Sequence, residues 1–347
     1  MSNKTRDPAI ELYRILLMFG ICLLHCVCQG KWSGIWPRNL LAFCVPGFVF
    51  ISGWFGIRFS VSKIIRLYSI PIYASLIAPL FGGVFVGYWR EVVRVWDAEN
   101  GFWFIHAYVI LMLFSPLINS LFDNDGIPFC KKLYIVTPIV FCVMVWGVLL
   151  NYNHLKTFIP SSSGLEGGSA LTFIAIYCVA RLCREGRIDD RIKSGWAIGC
   201  CVLSGAVLSF SHSYFSHINN PLCLLLAISL FVLFKRIRLP NILGKLIVSV
   251  SPLMLAVYCI SGTIYFPGMP HEFFATIEAL KEWFWGHGVG VYATIFGAAV
   301  VSFVVGLVLA LPQYILSMLF ARPIRFILDY SDRSFAKCVA WLARIFS

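Results

Sequence analysis

The apolar residues of this chain fall in blocks about twenty residues long, separated by short polar breaks, and that spacing limits what the chain can fold into. At a rise of about 1.5 Å per residue, a helical block of that length crosses the roughly 30 Å hydrocarbon core of a bilayer. A transmembrane β-barrel would instead alternate over segments of about ten residues. Of the 347 residues, 59% are hydrophobic and 13% charged, whereas soluble domains run near 45–50% apolar and about a quarter charged. The fold expected is all-α, a polytopic integral membrane helical bundle of about ten transmembrane helices, each satisfying its own backbone hydrogen bonds. The spans expected are 9–28, 40–57, 67–87, 102–122, 133–150, 169–183, 195–210, 222–234, 246–264 and 289–320.

The net charge of +12 belongs to topology. With the N-terminus inside, 21 of the 28 Lys and Arg fall in inner segments, 6 in outer ones, and Arg14 lies within the first span. That asymmetry obeys the positive-inside rule, places both termini in the cytoplasm, and removes the reason to expect a nucleic-acid partner. The 13 cysteines form no CxxC pair and most lie inside spans, where cysteine packs as a small apolar residue. Neither a zinc site nor a disulfide framework is expected, and no metal. "LLHC" at 23–26 faintly resembles a lipoprotein cleavage site, but the histidine is too large, so the first span is expected to be retained.

Two domains of unequal weight follow, a membrane domain over 1–320 and a basic amphipathic cytoplasmic tail over 321–347 lying along the membrane surface. The Ser/Gly-rich stretch 151–168 reads as a connector, and no internal repeat is visible. Gly83–Gly87 and Gly195–Gly199 have the spacing of close helix packing.

The first span, "ELYRILLMFGICLLHC" from 11 to 26, is apolar except for Glu11, Arg14 and His25. A separation of eleven residues at about 100° each brings Arg14 and His25 to nearly the same helix face, about 16 Å apart along the axis. Glu11 stands one turn before Arg14, placed for an i,i+3 ion pair. Ionisable groups within spans are costly and usually functional, although a snorkelling arginine and a hydrogen-bonded core histidine would explain the same residues structurally. In the next span Ser52 and Gly53 allow close helix approach, with Lys63 and Arg66 at the inner mouth. Trp103, His106 and Tyr108 open the fourth span, where aromatics usually anchor at the interface. His212, His217, His271 and His287 lack ligand spacing and read as surface residues.

Taken together, the first two spans resemble the membrane acyltransferase-3 family, whose members O-acylate bacterial surface sugars. The likeness rests on Arg14 and His25 in "IELYRILLMFGICLLH", on "FVFISGWF" with Ser52-Gly53, and on Phe59, Lys63 and Arg66 at the family's basic motif. "GFWFIHAYVILMLFSPLIN" at 101–119 is similar to a tryptophan-rich fourth span of many members. The resemblance is clear over about residues 10–120. Tyr258-Cys259-Ile260-Ser261 departs from it, with serine where many members have histidine. Within these residues the esterase-like domain that some relatives carry is not expected.

The resemblance implies a membrane O-acyltransferase, most often an O-acetyltransferase, that moves an acyl group from cytoplasmic acyl-CoA to a sugar hydroxyl of a surface or exopolysaccharide. It implies a multi-pass protein of the bacterial inner membrane, with membrane lipids, acetyl-CoA as donor, a glycan acceptor and polysaccharide-assembly machinery as partners. A hydroxyl needs a base within reach, which is the role expected of His25. Arg14 is expected either to hold His25 through a neighbouring helix or to bind the donor's pantetheine or phosphate part. Lys63 and Arg66 suit the CoA phosphates. Trp103 and His106 are placed to line the acceptor entrance, and Glu11, Ser52 and Gly53 to support the site. The rival expectations are a proton-coupled transporter or flippase for a sugar or lipid-linked glycan, and a sensor or scaffold in which Arg14 and Glu11 are structural.

Overall fold

A computed structural model describes residues 6–27, 37–86, 103–146, 170–210, 218–264, 281, 283 and 285–317. Their regular secondary structure is helical, joined by short turns. The helices are α1 (Pro8–Val27), α2 (Pro37–Leu41), α3 (Cys44–Phe55), α4 (Val61–Val86), α5 (Trp103–Phe122) and α6 (Phe129–Val140). A π-helical turn, Phe141–Trp146, extends α6. Then come α7 (Ala170–Glu185), α8 (Ile188–Arg191), α9 (Ser194–Phe210), α10 (Pro221–Phe234), α11 (Asn241–Val250), α12 (Met254–Ile264) and α13 (Val291–Ser317).

Helix starts are set by local chemistry. Asp7 precedes α1 and its Oδ1 accepts from the Ala9 N–H at 3.0 Å, with Pro8 in the first helical position. Asn220 does the same for α10, accepting from the Leu222 N–H at 2.9 Å ahead of Pro221.

Helix α1 is the hub, packing on α2, α3, α10, α11 and α12. One continuous apolar core joins it to α3, α4, α5, α7, α10, α12 and α13. Two glycines let α1 and α3 come close: a Cβ on Gly20 would lie 2.5 Å from Cys44 Sγ, and one on Gly47 2.8 Å from the Leu17 methyls. Gly53 serves α7 likewise, with Ala180 Cβ at 2.6 Å and the Tyr177 carbonyl oxygen at 2.9 Å.

Ten spans were expected; among the described residues, four helices are by themselves long and apolar enough to cross a membrane. They are Pro8–Val27, Trp103–Phe122, Asn241–Ser261 and Val291–Ser317. Asn39–Phe55, Ser194–Phe210 and Pro221–Phe234 are apolar but shorter, and helices of 14 to 17 residues reach only about 21–26 Å. The coarse expectation of an all-α polytopic bundle agrees with these helices. The packing read into Gly195–Gly199 is corrected: a Cβ at either position meets nothing within 4 Å, so spacing here marks an open face of α9. Gly87, the loop 151–168, His212, His217, His271 and the tail 321–347 lie outside the described residues.

Candidate active site

The first step in building the site is the turn after α3. Gly56 ends that helix with φ +80°, donating its N–H to the Ser52 and Gly53 carbonyls. A side chain would be strained at that φ, and a Cβ would also lie 3.0 Å from Arg181 Nη1. The next residue is held on both its backbone groups. The Ile57 N–H donates to Tyr177 Oη at 2.9 Å, Asn119 Nδ2 donates to the Ile57 carbonyl at 2.8 Å, and Tyr177 Oη donates to Asn119 Oδ1 at 2.7 Å. Arg184 donates to the Trp54 carbonyl at 2.8 Å, and Arg181 pairs with Asp123. Side chains from α5 and α7 thus fix the turn that leads from Ser52-Gly53 to the basic residues of α4.

This turn forms one wall of a cavity of about 460 Å³ between α1, α3, α4, α5, α12 and α13. Among the described residues its cations are Arg6, Arg14, Arg58, Lys63 and Arg66, and none of the described lining residues is acidic. Arg6, Arg58, Lys63 and Arg66 are exposed, whereas Arg14 is half-buried further along α1. Arg14 donates through Nη1 to both Glu11 oxygens, at 3.0 and 3.3 Å, so buried Glu11 neutralises part of its charge. Lys63 Nζ donates to the Arg58 carbonyl at 3.1 Å. The Arg66 guanidinium lies over Tyr314 at 5.8 Å from the ring centre. Arg6 reaches Ser251 Oγ at 3.5 Å.

Away from the cations the lining turns apolar and aromatic, with Met18, Ile21, Phe48, Phe104, Ile105 and Tyr258. Arg14, Met18 and Ile21 climb one face of α1, so the cavity follows that face for about two turns. His25 stands one turn beyond Ile21, and its ring centre is 6.2 Å from that of Tyr258. Tyr258 therefore touches the cavity on one side and His25 on the other. Phe104 completes the wall, 5.4 Å from the Tyr258 ring and stacked 5.9 Å from Tyr108.

The departure at Ser261 also has a place. Ser261 is fully buried and donates to the Tyr258 carbonyl at 3.0 Å, so its hydroxyl is engaged within α12.

The structure brings together Arg14, Ser52, Lys63 and Arg66 at the cavity, with His25 beyond Tyr258 and Glu11 behind Arg14. Gly53 lies in the α3–α7 seam. Trp103 and His106 are not among the cavity's lining residues. The Trp103 ring packs at 6.1 Å on both Phe104 and Phe173, and His106 Nδ1 is hydrogen-bonded to Tyr68 Oη at 3.2 Å. Phe59 is not among them either. His287 is exposed, with Nδ1 2.7 Å from the Trp283 carbonyl. Among the described residues no group of three His, Cys, Asp or Glu is placed to hold a metal ion.

Sequence reasoning missed Tyr108 and Tyr258 as cavity residues, and read Arg6 and Arg58 only as topology. A signal existed for Tyr108: Phe104, Tyr108 and Met112 recur at four-residue spacing and so share one face of α5.

Searches of curated proteins and of solved structures each return no match. Residues 7–312 match the family model described as an acyltransferase domain. That stretch covers both the cavity and His25, and the chain belongs to membrane acyltransferase family 3.

Proposed function

We propose that this membrane acyltransferase carries an acyl group, most simply acetyl, from cytoplasmic acyl-CoA to a hydroxyl of a cell-surface or exopolysaccharide sugar. The observation that supports this reading above others is the charge gradient of the cavity. Among the described residues five cations and no carboxylate line one side, and an aromatic wall leads from them toward a histidine. CoA has the matching shape, with phosphates at one end, an uncharged arm, and a thioester at the other. The arm has about the backbone length of four extended residues, roughly 14 Å. That is close to the roughly 16 Å that separates Arg14 from His25 along the helix.

On this reading Lys63, Arg66 and Arg14 hold the donor phosphates by charge-assisted hydrogen bonds, with Glu11 orienting Arg14. Ser52 and Gly53 support the donor wall. His25 takes the proton of the acceptor hydroxyl as its oxygen attacks the thioester carbonyl. The new C–O bond forms, the C–S bond breaks, and the imidazolium returns its proton to the leaving CoA thiolate. Trp103 and His106, at the start of α5, lie toward the acceptor. The topology that serves this chemistry has ten spans in the bacterial inner membrane, both termini cytoplasmic, the tail 321–347 on the inner surface, and polysaccharide-assembly machinery nearby.

The test is transfer of label from radiolabelled acetyl-CoA to a cell-envelope glycan extract by the purified protein in proteoliposomes, beside His25→Ala. Labelled glycan from the wild type alone is the expected result. Glycan translocation that depends on His25 with no consumption of donor would overturn the reading in favour of a transporter.

A further inference from the structure

One polar pair in the apolar part of the cavity contains a residue, Tyr108, that has no role in the chemistry above. Tyr108 Oη donates to Ser52 Oγ at 3.2 Å, and Ser52 Oγ donates its own proton to the Phe48 carbonyl at 3.0 Å. Both side chains line the cavity. A tyrosine hydroxyl has one proton to give and lone pairs to receive. With the Tyr108 proton committed to Ser52, its oxygen can act toward the cavity only as an acceptor. The surroundings are Met18, Ile21, Phe48, Phe104, Ile105 and Met112, with Arg14 on the cationic side. A ligand segment that passes there must be largely apolar, and a donor on it meets an acceptor in the Tyr108 oxygen.

We propose that Tyr108, held in register by Ser52, is the acceptor for an amide N–H of the donor's pantetheine arm. The proposal rests on the acyl-CoA reading and deepens it. The pantetheine arm consists of methylenes interrupted by two amides, so it is apolar enough for the wall and carries an N–H to give to the Tyr108 oxygen. The cations fix the phosphates at the cavity mouth. Tyr108 then sets how far the thioester extends past them toward Tyr258 and His25. It is a positioning residue for the thioester and makes no contact with the reacting atoms.

The experiment is calorimetric titration of the purified full chain in nanodiscs with two probes. One is CoA, and the other is its phosphorylated nucleotide end without the pantetheine arm. Tyr108→Phe keeps the ring stacked on Phe104 and removes only the oxygen. It is expected to raise the Kd for CoA about tenfold and to leave that for the nucleotide end unchanged. Ser52→Ala, which frees the Tyr108 proton, is expected to raise the Kd for CoA by a smaller factor with the same selectivity. Unchanged CoA affinity in Tyr108→Phe overturns the assignment of Tyr108, and so does equal weakening of both probes. If the wild type binds neither probe, the donor reading itself fails.

Discussion

The two ends of α1 are built from opposite materials. At the Arg14 end, five cations surround an open cavity and only Arg14 has a carboxylate partner on its own helix. At the His25 end, the described neighbours include Tyr258 and the fully buried Lys281, whose Nζ reaches the Cys26 carbonyl at 3.4 Å. Exposed charges can bind and release a polyanion at modest cost, because water shares their solvation. At the other end a half-buried imidazole beside an aromatic ring meets less water than the exposed cations do, which on the proposed reading suits proton transfer at His25. On the proposed reading, one helix thus separates holding the donor from reacting with it.

That division can be broken by measurement. Removing the base should act on rate alone: His25→Ala is expected to lower acyl transfer by roughly 10²–10⁴-fold and to leave CoA affinity unchanged. Equal losses in rate and binding would mean the two ends are not separate. The double variant Lys63→Ala/Arg66→Ala should do the reverse, weakening CoA binding by about ten- to a hundredfold with little effect on the saturated rate. Its loss should also shrink as salt is raised, since these cations are exposed.

The glycines offer a second, smaller contrast. Gly53→Val pushes a branched side chain into Ala180 and the Tyr177 backbone, and an overpacking cost of about 1–3 kcal/mol is expected in thermal or denaturant unfolding. Gly199→Val meets open space on α9 and should change stability by no more than about 0.5 kcal/mol. If both variants cost the same, the α3–α7 seam is looser than its distances indicate.

The chain showed some of this without its structure. A shared face for Arg14 and His25 follows from the helical repeat, and the Glu11–Arg14 pair follows from i,i+3 spacing. Both depend on neighbours within one helix, where period and rise are fixed by backbone geometry. The same reasoning could not separate Gly53 from Gly199, because a small residue permits close approach without supplying the helix that approaches. Nor could it separate Arg58, which lines the cavity, from cations that only orient the chain. Nor could it show that His106, expected at the acceptor entrance, is hydrogen-bonded to Tyr68.

By itself, then, the sequence determined a helical membrane-type chain, one charged helix face and the family it belongs to, since apolar block length, helical period and motif are local properties of the chain. Only the tertiary structure decided that α1 and α3–α5 meet α12 and α13 around one cavity, with Tyr258 set between its apolar wall and His25. Side chains more than a hundred residues apart converge there, and that convergence depends on which helix faces pack together.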